Sequence, residues 1–181
     1  LYFENTDMVG WIQIEGTNID YPVMQTPADP TYYLKHSFEK NYTDYGCPFM
    51  QADCDALCPS DNLILYGHNM KDGSMFNSLH SYSDQAYYDA HPVLYLNTPK
   101  QNYKIELFTA YICSYDSDTY TLSFSSADEY GAWLNKMKSQ SVFTTDTDVT
   151  VDDRVVTLST CTYEYDNARF VVQGKLVPLD G

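Results

Sequence analysis

The stretch RVVTLSTCTYEYDNARFVVQG, residues 154–174, decides the fold of this chain. Two β-like runs, Arg154–Cys161 and Arg169–Val177, flank the seven-residue connection Thr162–Ala168. Their two-residue alternation predicts an antiparallel pair of strands. On the first strand Thr157, Ser159 and Cys161 share one face, and Val156, Leu158 and Thr160 share the other. On the second, Arg169, Val171, Gln173 and Lys175 stand opposite Phe170, Val172 and Leu176. Pairing therefore sets Cys161, at the end of one strand, beside Arg169, at the start of the next. Upstream, LILYGHNM places His68 just after another apolar run.

Outward from this segment the same reading yields further short strands. Val9–Gln25, VGWIQIEGTNIDYPVMQ, alternates around Gly16-Thr17-Asn18 and predicts two strands joined by a turn. Pro48–Gln51, Leu63–Tyr66, Val93–Leu96, Tyr103–Tyr111 and Thr119–Phe124 read as additional strands. Pro30–His36 suits a short helix, with Asp29 as its cap and Pro30 in first position. Ser74–Tyr82 and Asp84–His91 read as helical turns ending before Pro92. In Ser126–Ser139 the residues Tyr130, Trp133, Leu134 and Met137 recur at helical spacing, which predicts an amphipathic helix packed on the core. The fold class is mostly β with peripheral helices, and many short strands point to a closed or nearly closed β-barrel.

At 181 residues, with 44% hydrophobic residues and no repeat or linker, the chain reads as one domain with a real core. No apolar run approaches the roughly 20 residues of a membrane span, and no signal-peptide pattern is present. Any anchor is expected to lie outside this sequence. Acidic residues outnumber basic ones by 25 to 10, for a formal charge of −15. Such a surface repels phosphate backbones and anionic membranes, so nucleic acid is excluded as a partner, whereas basic peptides and amines are attracted. Only two arginines are present, Arg154 and Arg169, which lends weight to the second one's place beside Cys161.

Five cysteines, Cys47, Cys54, Cys58, Cys113 and Cys161, allow one free reactive thiol and up to two disulfides among the rest, in three pairings. Free thiols throughout are the plainer reading. Cys54 and Cys58 lack the spacing and histidines of a zinc site, so no metal is expected. Asp146, Asp148, Asp152 and Asp153 imitate a calcium loop. However, Val151 stands where the loop needs glycine and Thr157 where it needs glutamate, so the run is read as solvated. His36, His80 and His91 are read as surface residues of helices or turns, and most of the 18 tyrosines as packing.

Cys161, His68 and Arg169 together supply the parts of covalent acyl chemistry. A free thiol is only about 3% thiolate at pH 7, so a nucleophilic cysteine needs a base or a nearby cation. His68 can exchange a proton near neutrality and can later protonate a leaving amine. Arg169 stays protonated, so its use is to bind a carbonyl oxygen as charge develops on it, worth roughly 2.7–4 kcal/mol. No cofactor is required.

TLSTC at Thr157–Cys161, followed eight residues later by Arg169, resembles the active-site signature of the sortases. VGWIQIEGTNIDYPVMQ, YYLKHSF at Tyr32–Phe38 and LYGHNMKDGSMFNSL at Leu65–Leu79 are similar to class B of that family. The similarity runs in order from Val9 to Leu176, with the cysteine-bearing loop around Cys54 and Cys58 as a departure. The resemblance implies a closed eight-stranded sortase-type barrel at residues 9–181. The tail at 1–8, which opens Leu1-Tyr2-Phe3, is expected to be in part an expression scar. The resemblance also implies a membrane-anchored extracellular transpeptidase of Gram-positive bacteria. Such enzymes cut a C-terminal LPxTG or NPxTN sorting motif after threonine, hold the protein as a thioester, and pass it to an amine of a cell-wall precursor or pilin. On this basis Cys161 attacks the threonine carbonyl, His68 protonates the departing nitrogen and Arg169 holds the carbonyl or the motif backbone. Ser159 and Thr160 line the peptide groove. Two rival readings stand beside it: a Cys/His hydrolase that releases its acyl group to water, and a noncatalytic cell-surface binding module.

Overall fold

A computed structural model gives the fold; it describes residues 1–55, 61–161 and 166–179, with Cys161 by its backbone alone. Eight strands are present: β1 Met8–Gln13, β2 Asp20–Met24, β3 Phe49–Met50, β4 Asn62–Tyr66, β5 Val93–Asn97, β6 Asn102–Ser114, β7 Val155–Cys161 and β8 Ala168–Leu179. They close into a barrel in the order β1-β2-β3-β4-β7-β8-β6-β5. Two α-helices, α1 Gln85–Ala90 and α2 Ala127–Ser139, lie outside it.

The β1–β2 hairpin forms because Gly16, at φ +77°, turns the chain between the two alternating runs. The predicted β7–β8 pair is antiparallel, with Cys161 opposite Arg169 in register. β4 runs parallel to β7, Tyr66 beside Ser159, and the ladder continues through Gly67 N–H donating to the Ser159 carbonyl at 3.2 Å. The end of β4, the end of β7 and the start of β8 therefore meet at one rim of the barrel. β6 spans thirteen residues and holds β5 on one side and β8 on the other.

The apolar face of each strand fills the barrel. Ile12, Leu65, Leu94, Ile105, Leu107, Val156, Leu158, Phe170 and Val172 form one buried cluster. The more polar face of β7 and β8 is buried as well, beneath α2 and the segment leading to it. There Val155 and Val171 pack with Phe108, Tyr111, Tyr130, Trp133, Leu134 and Met137. The polar groups in this layer bond one another: Thr157 Oγ1 donates to Asn62 Oδ1 at 2.7 Å, and Gln173 Nε2 donates to Thr157 Oγ1 at 2.9 Å. Ser126 caps α2 by accepting the Glu129 N–H, as its place before the amphipathic run requires.

Several expectations are corrected. Pro30–His36 forms only a 3₁₀ turn at Tyr32–Leu34, preceded by Thr31 and without a side-chain cap. His36 instead pairs with Tyr42 in a β-bridge and stacks on Tyr32, which draws the chain out of helical geometry. Thr119–Phe124 is not a strand. Asp118–Tyr120 makes a 3₁₀ turn, and Asn62 Nδ2 takes the carbonyls of Thr119 and Thr121. A closed barrel leaves that segment no edge to join. The three histidines read as surface residues are partly exposed, with His80 on a 3₁₀ turn against Phe170 and His91 at the end of α1 against Tyr87. Cys47, Cys54 and Cys113 are free and buried, so no disulfide joins them; Cys58 lies outside the described residues.

Candidate active site

The rim where β4, β7 and β8 meet carries a cleft of about 140 Å³ lined by Leu34, Cys47, Phe49, Tyr66, Gly67, His68, Ser159, Thr160 and Arg169. Four side chains singled out from the sequence, His68, Ser159, Thr160 and Arg169, thus border one space. Cys161 follows Thr160 as the last residue of β7, with its Cα paired to Arg169.

Each position has a local cause. His68 leaves β4 through Gly67, where any Cβ would sit within 2.5 Å of the Phe76 ring. His68 also accepts the Phe76 N–H at its own carbonyl, at 2.8 Å. Its Nε2 lies 2.6 Å from the Leu34 carbonyl oxygen. Arg169 is half-buried at the start of β8 and donates from one guanidinium nitrogen to the Ala168 carbonyl at 3.0 Å. Among the described residues no acid forms an ion pair with it, in a chain bearing 25 carboxylate side chains. Burying part of a cation without a counter-ion costs stability, and a site that must hold negative charge repays that cost in function.

Ser159 Oγ is hydrogen-bonded to the Tyr120 hydroxyl at 2.7 Å, and Tyr120 stacks on Tyr66. Thr160 borders the cleft, and its Oγ1 is buried with no hydrogen-bond partner among the described residues. Burial pushes the Tyr66 hydroxyl up to about 12, against a smaller opposing pull from the Arg169 guanidinium. Tyr66 therefore stays neutral and donates to Gln51 Oε1 at 2.7 Å. Among the described residues no group of three or more His, Cys, Asp or Glu is arranged to hold a metal.

Sequence reasoning missed Cys47, Phe49, Tyr66 and Tyr120 as neighbours of this cleft. Leu34 lies within the YYLKHSF segment that carried the family likeness, but nothing in its residue type announces a role for its carbonyl. Tyr66 directly precedes the Gly67-His68 pair, the one local signal that pointed to it.

One rim of the closed barrel thus carries the strand end at Cys161 together with His68 and Arg169. Residues 12–177 match the sortase domain family. The chain is 40% identical to sortase B of Listeria monocytogenes and 34% identical to sortase B of Staphylococcus aureus. Each match spans 96% of this chain and 71% of the relative. A Staphylococcus aureus sortase B–substrate complex superposes with a TM-score of 0.94 at 32% identity, covering 99% of this chain and 83% of that one. A sortase B-like protein of Bacillus anthracis gives 0.90 at 39% identity, covering 99% and 81%. The chain belongs to the sortase family, in its class B. It is therefore a cysteine transpeptidase that processes sorting signals, of a family associated with the cell surface, and the noncatalytic reading falls. No helix among the described residues is long and apolar enough to cross a membrane.

Proposed function

We propose that Cys161, His68 and Arg169 carry the transpeptidation, and the observation that carries this reading is the half-buried guanidinium of Arg169, unpaired with any acid among the described residues, in the cleft that His68 also lines. The Cys161 thiol gives its proton to His68, and the resulting thiolate attacks the threonine carbonyl of an LPxTG- or NPxTN-like motif. Negative charge builds on the carbonyl oxygen, and Arg169 binds it through a planar two-donor fork that a lysine cannot reproduce. His68 gives a proton to the departing amide nitrogen, so the C–N bond breaks and a thioester remains. An incoming amine then attacks the thioester and yields its proton to His68; the C–S bond breaks as the new amide forms, and the departing thiolate takes that proton from His68 to restore the thiol. Ser159 and Thr160 line the peptide groove.

In this reading the amine belongs to a cell-wall precursor or a pilin lysine. The domain works at the outer face of a Gram-positive membrane, held there by a single-pass anchor. A sorting-motif peptide library, incubated with and without an amine and read by mass, tests the whole scheme. Transpeptidated adduct is expected, none with Cys161→Ala, and about 100-fold less with Arg169→Lys. Cleaved acid alone at high amine concentration would establish the hydrolase instead. Near-wild-type turnover by Arg169→Lys would remove Arg169 from the oxyanion.

A further inference from the structure

We propose that Gly46 is a positioning residue for His68. By leaving room for the Leu34 carbonyl it holds the imidazole in its Nε2–H form, so that Nδ1 is the nitrogen that exchanges protons with the substrate. The proposal rests on the reading above, in which His68 is the proton donor to the leaving nitrogen.

The first element is the 2.6 Å contact between His68 Nε2 and the Leu34 oxygen. A carbonyl can only accept, so Nε2 carries the hydrogen. The Leu34 oxygen is the ring's only hydrogen-bond partner among the described residues. A neutral imidazole with hydrogen on Nε2 has its lone pair on Nδ1, and an imidazolium carries a transferable proton there. The Leu34 bond persists in both states. The ring therefore delivers a proton from Nδ1, becomes neutral with Nε2–H in place, and recovers the proton at Nδ1 from the attacking amine. It need not turn at any step.

The second element is what fixes the carbonyl. Leu34 ends the 3₁₀ turn, where Lys35 N–H closes on the Tyr32 carbonyl and leaves the Leu34 oxygen to the imidazole. Gly46 sits against this peptide at φ +60°. A Cβ at position 46 would come within 2.7 Å of the Leu34 oxygen and closer still to the Tyr33 oxygen. Both obstacles are backbone, and the Tyr33 carbonyl is itself anchored by the Cys47 N–H at 2.9 Å. No flexible side chain can yield, so a larger residue has to displace the very carbonyl that orients His68. Leu34, Cys47 and His68 line the same cleft, which keeps the disturbance local.

The test combines long-range ¹⁵N–¹H spectra of the four labelled histidines with steady-state kinetics. In the wild-type chain the neutral His68 ring is expected to show the Nε2–H tautomer. Gly46→Ala is expected to lose that signature and to lower kcat by about 100-fold with little change in KM, the scale of a misplaced catalytic group. Gly16→Ala, another glycine at positive φ, is the control for backbone strain away from the cleft, and it should keep both signature and turnover. An Nδ1–H tautomer in the wild-type chain overturns the proposal, and this measurement stands even if Gly46→Ala does not fold. Gly46→Ala with an unmoved ring signal overturns it too, whatever its turnover. Turnover by His68→Ala would instead overturn the underlying assignment of His68, an outcome separable from the tautomer result.

Discussion

Cys47 and Cys161 are two thiols at one rim with opposite demands on them. Burial pushes the Cys47 thiol up to about 12, with the Glu39 carboxylate adding in the same direction, so this sulfur stays protonated and inert. The same burial couples it to folding. Its pKa in the fold lies above the unfolded value of 9.0, so the folded state holds its proton longer. The stability at stake is intact below pH 9 and is lost progressively as pH rises toward 12. At pH 10 the loss amounts to about 1.4 kcal/mol. Denaturant titrations at pH 8 and pH 10 check this: Cys47→Ser is expected to lose less stability between the two than the wild-type chain. An equal loss in both would assign the alkaline limb to the buried tyrosines instead.

At the scale of elements, α2 covers the outer side of β6 and packs in one cluster with Val155 of β7 and Val171 of β8; Met137 is among its most buried residues. It is fully buried, takes the Tyr111 hydroxyl on its sulfur at 2.7 Å, and accepts the Thr109 hydroxyl on its carbonyl. Met137→Ala is expected to cost about 2–5 kcal/mol, seen as a lower urea midpoint with an unchanged slope. The helix was legible because its stripe repeats at 3.6 residues. β1, β2, β7 and β8 were legible because their alternation matches the pleat. β3 was legible within Pro48–Gln51, though pairing with Tyr66 and Leu65 trims it to two residues; the 3₁₀ turn after Ser117 was not, because distant Asn62 claims the carbonyls beyond it. For the site, residue type announced a nucleophile, a proton carrier and a cation. The carbonyl of Leu34 and the aromatic wall of Phe49, Tyr66 and Tyr120 gave no such sign, since their roles come from placement.

At the scale of the molecule, the parallel β4–β7 ladder joins segments about ninety residues apart and brings their C-terminal ends together, a pairing no local pattern foretells. The charge of −15 acts over the same distance. Turnover of cationic peptides and amines is expected to fall as salt rises from about 0.02 M to about 0.5 M, while uncharged analogues hold constant. A matching decline for both would point to the fold, not to steering. The architecture has one more consequence. The β5–β6 turn, closed on itself by Thr98 and Gln101, lies at the far end of β6, about 40 Å along the strand from the cleft rim. A tether, dye or guest domain spliced between Thr98 and Gln101 would hang from the opposite pole, so the molecule can be grafted to a bead or a fibre with its working mouth facing outward.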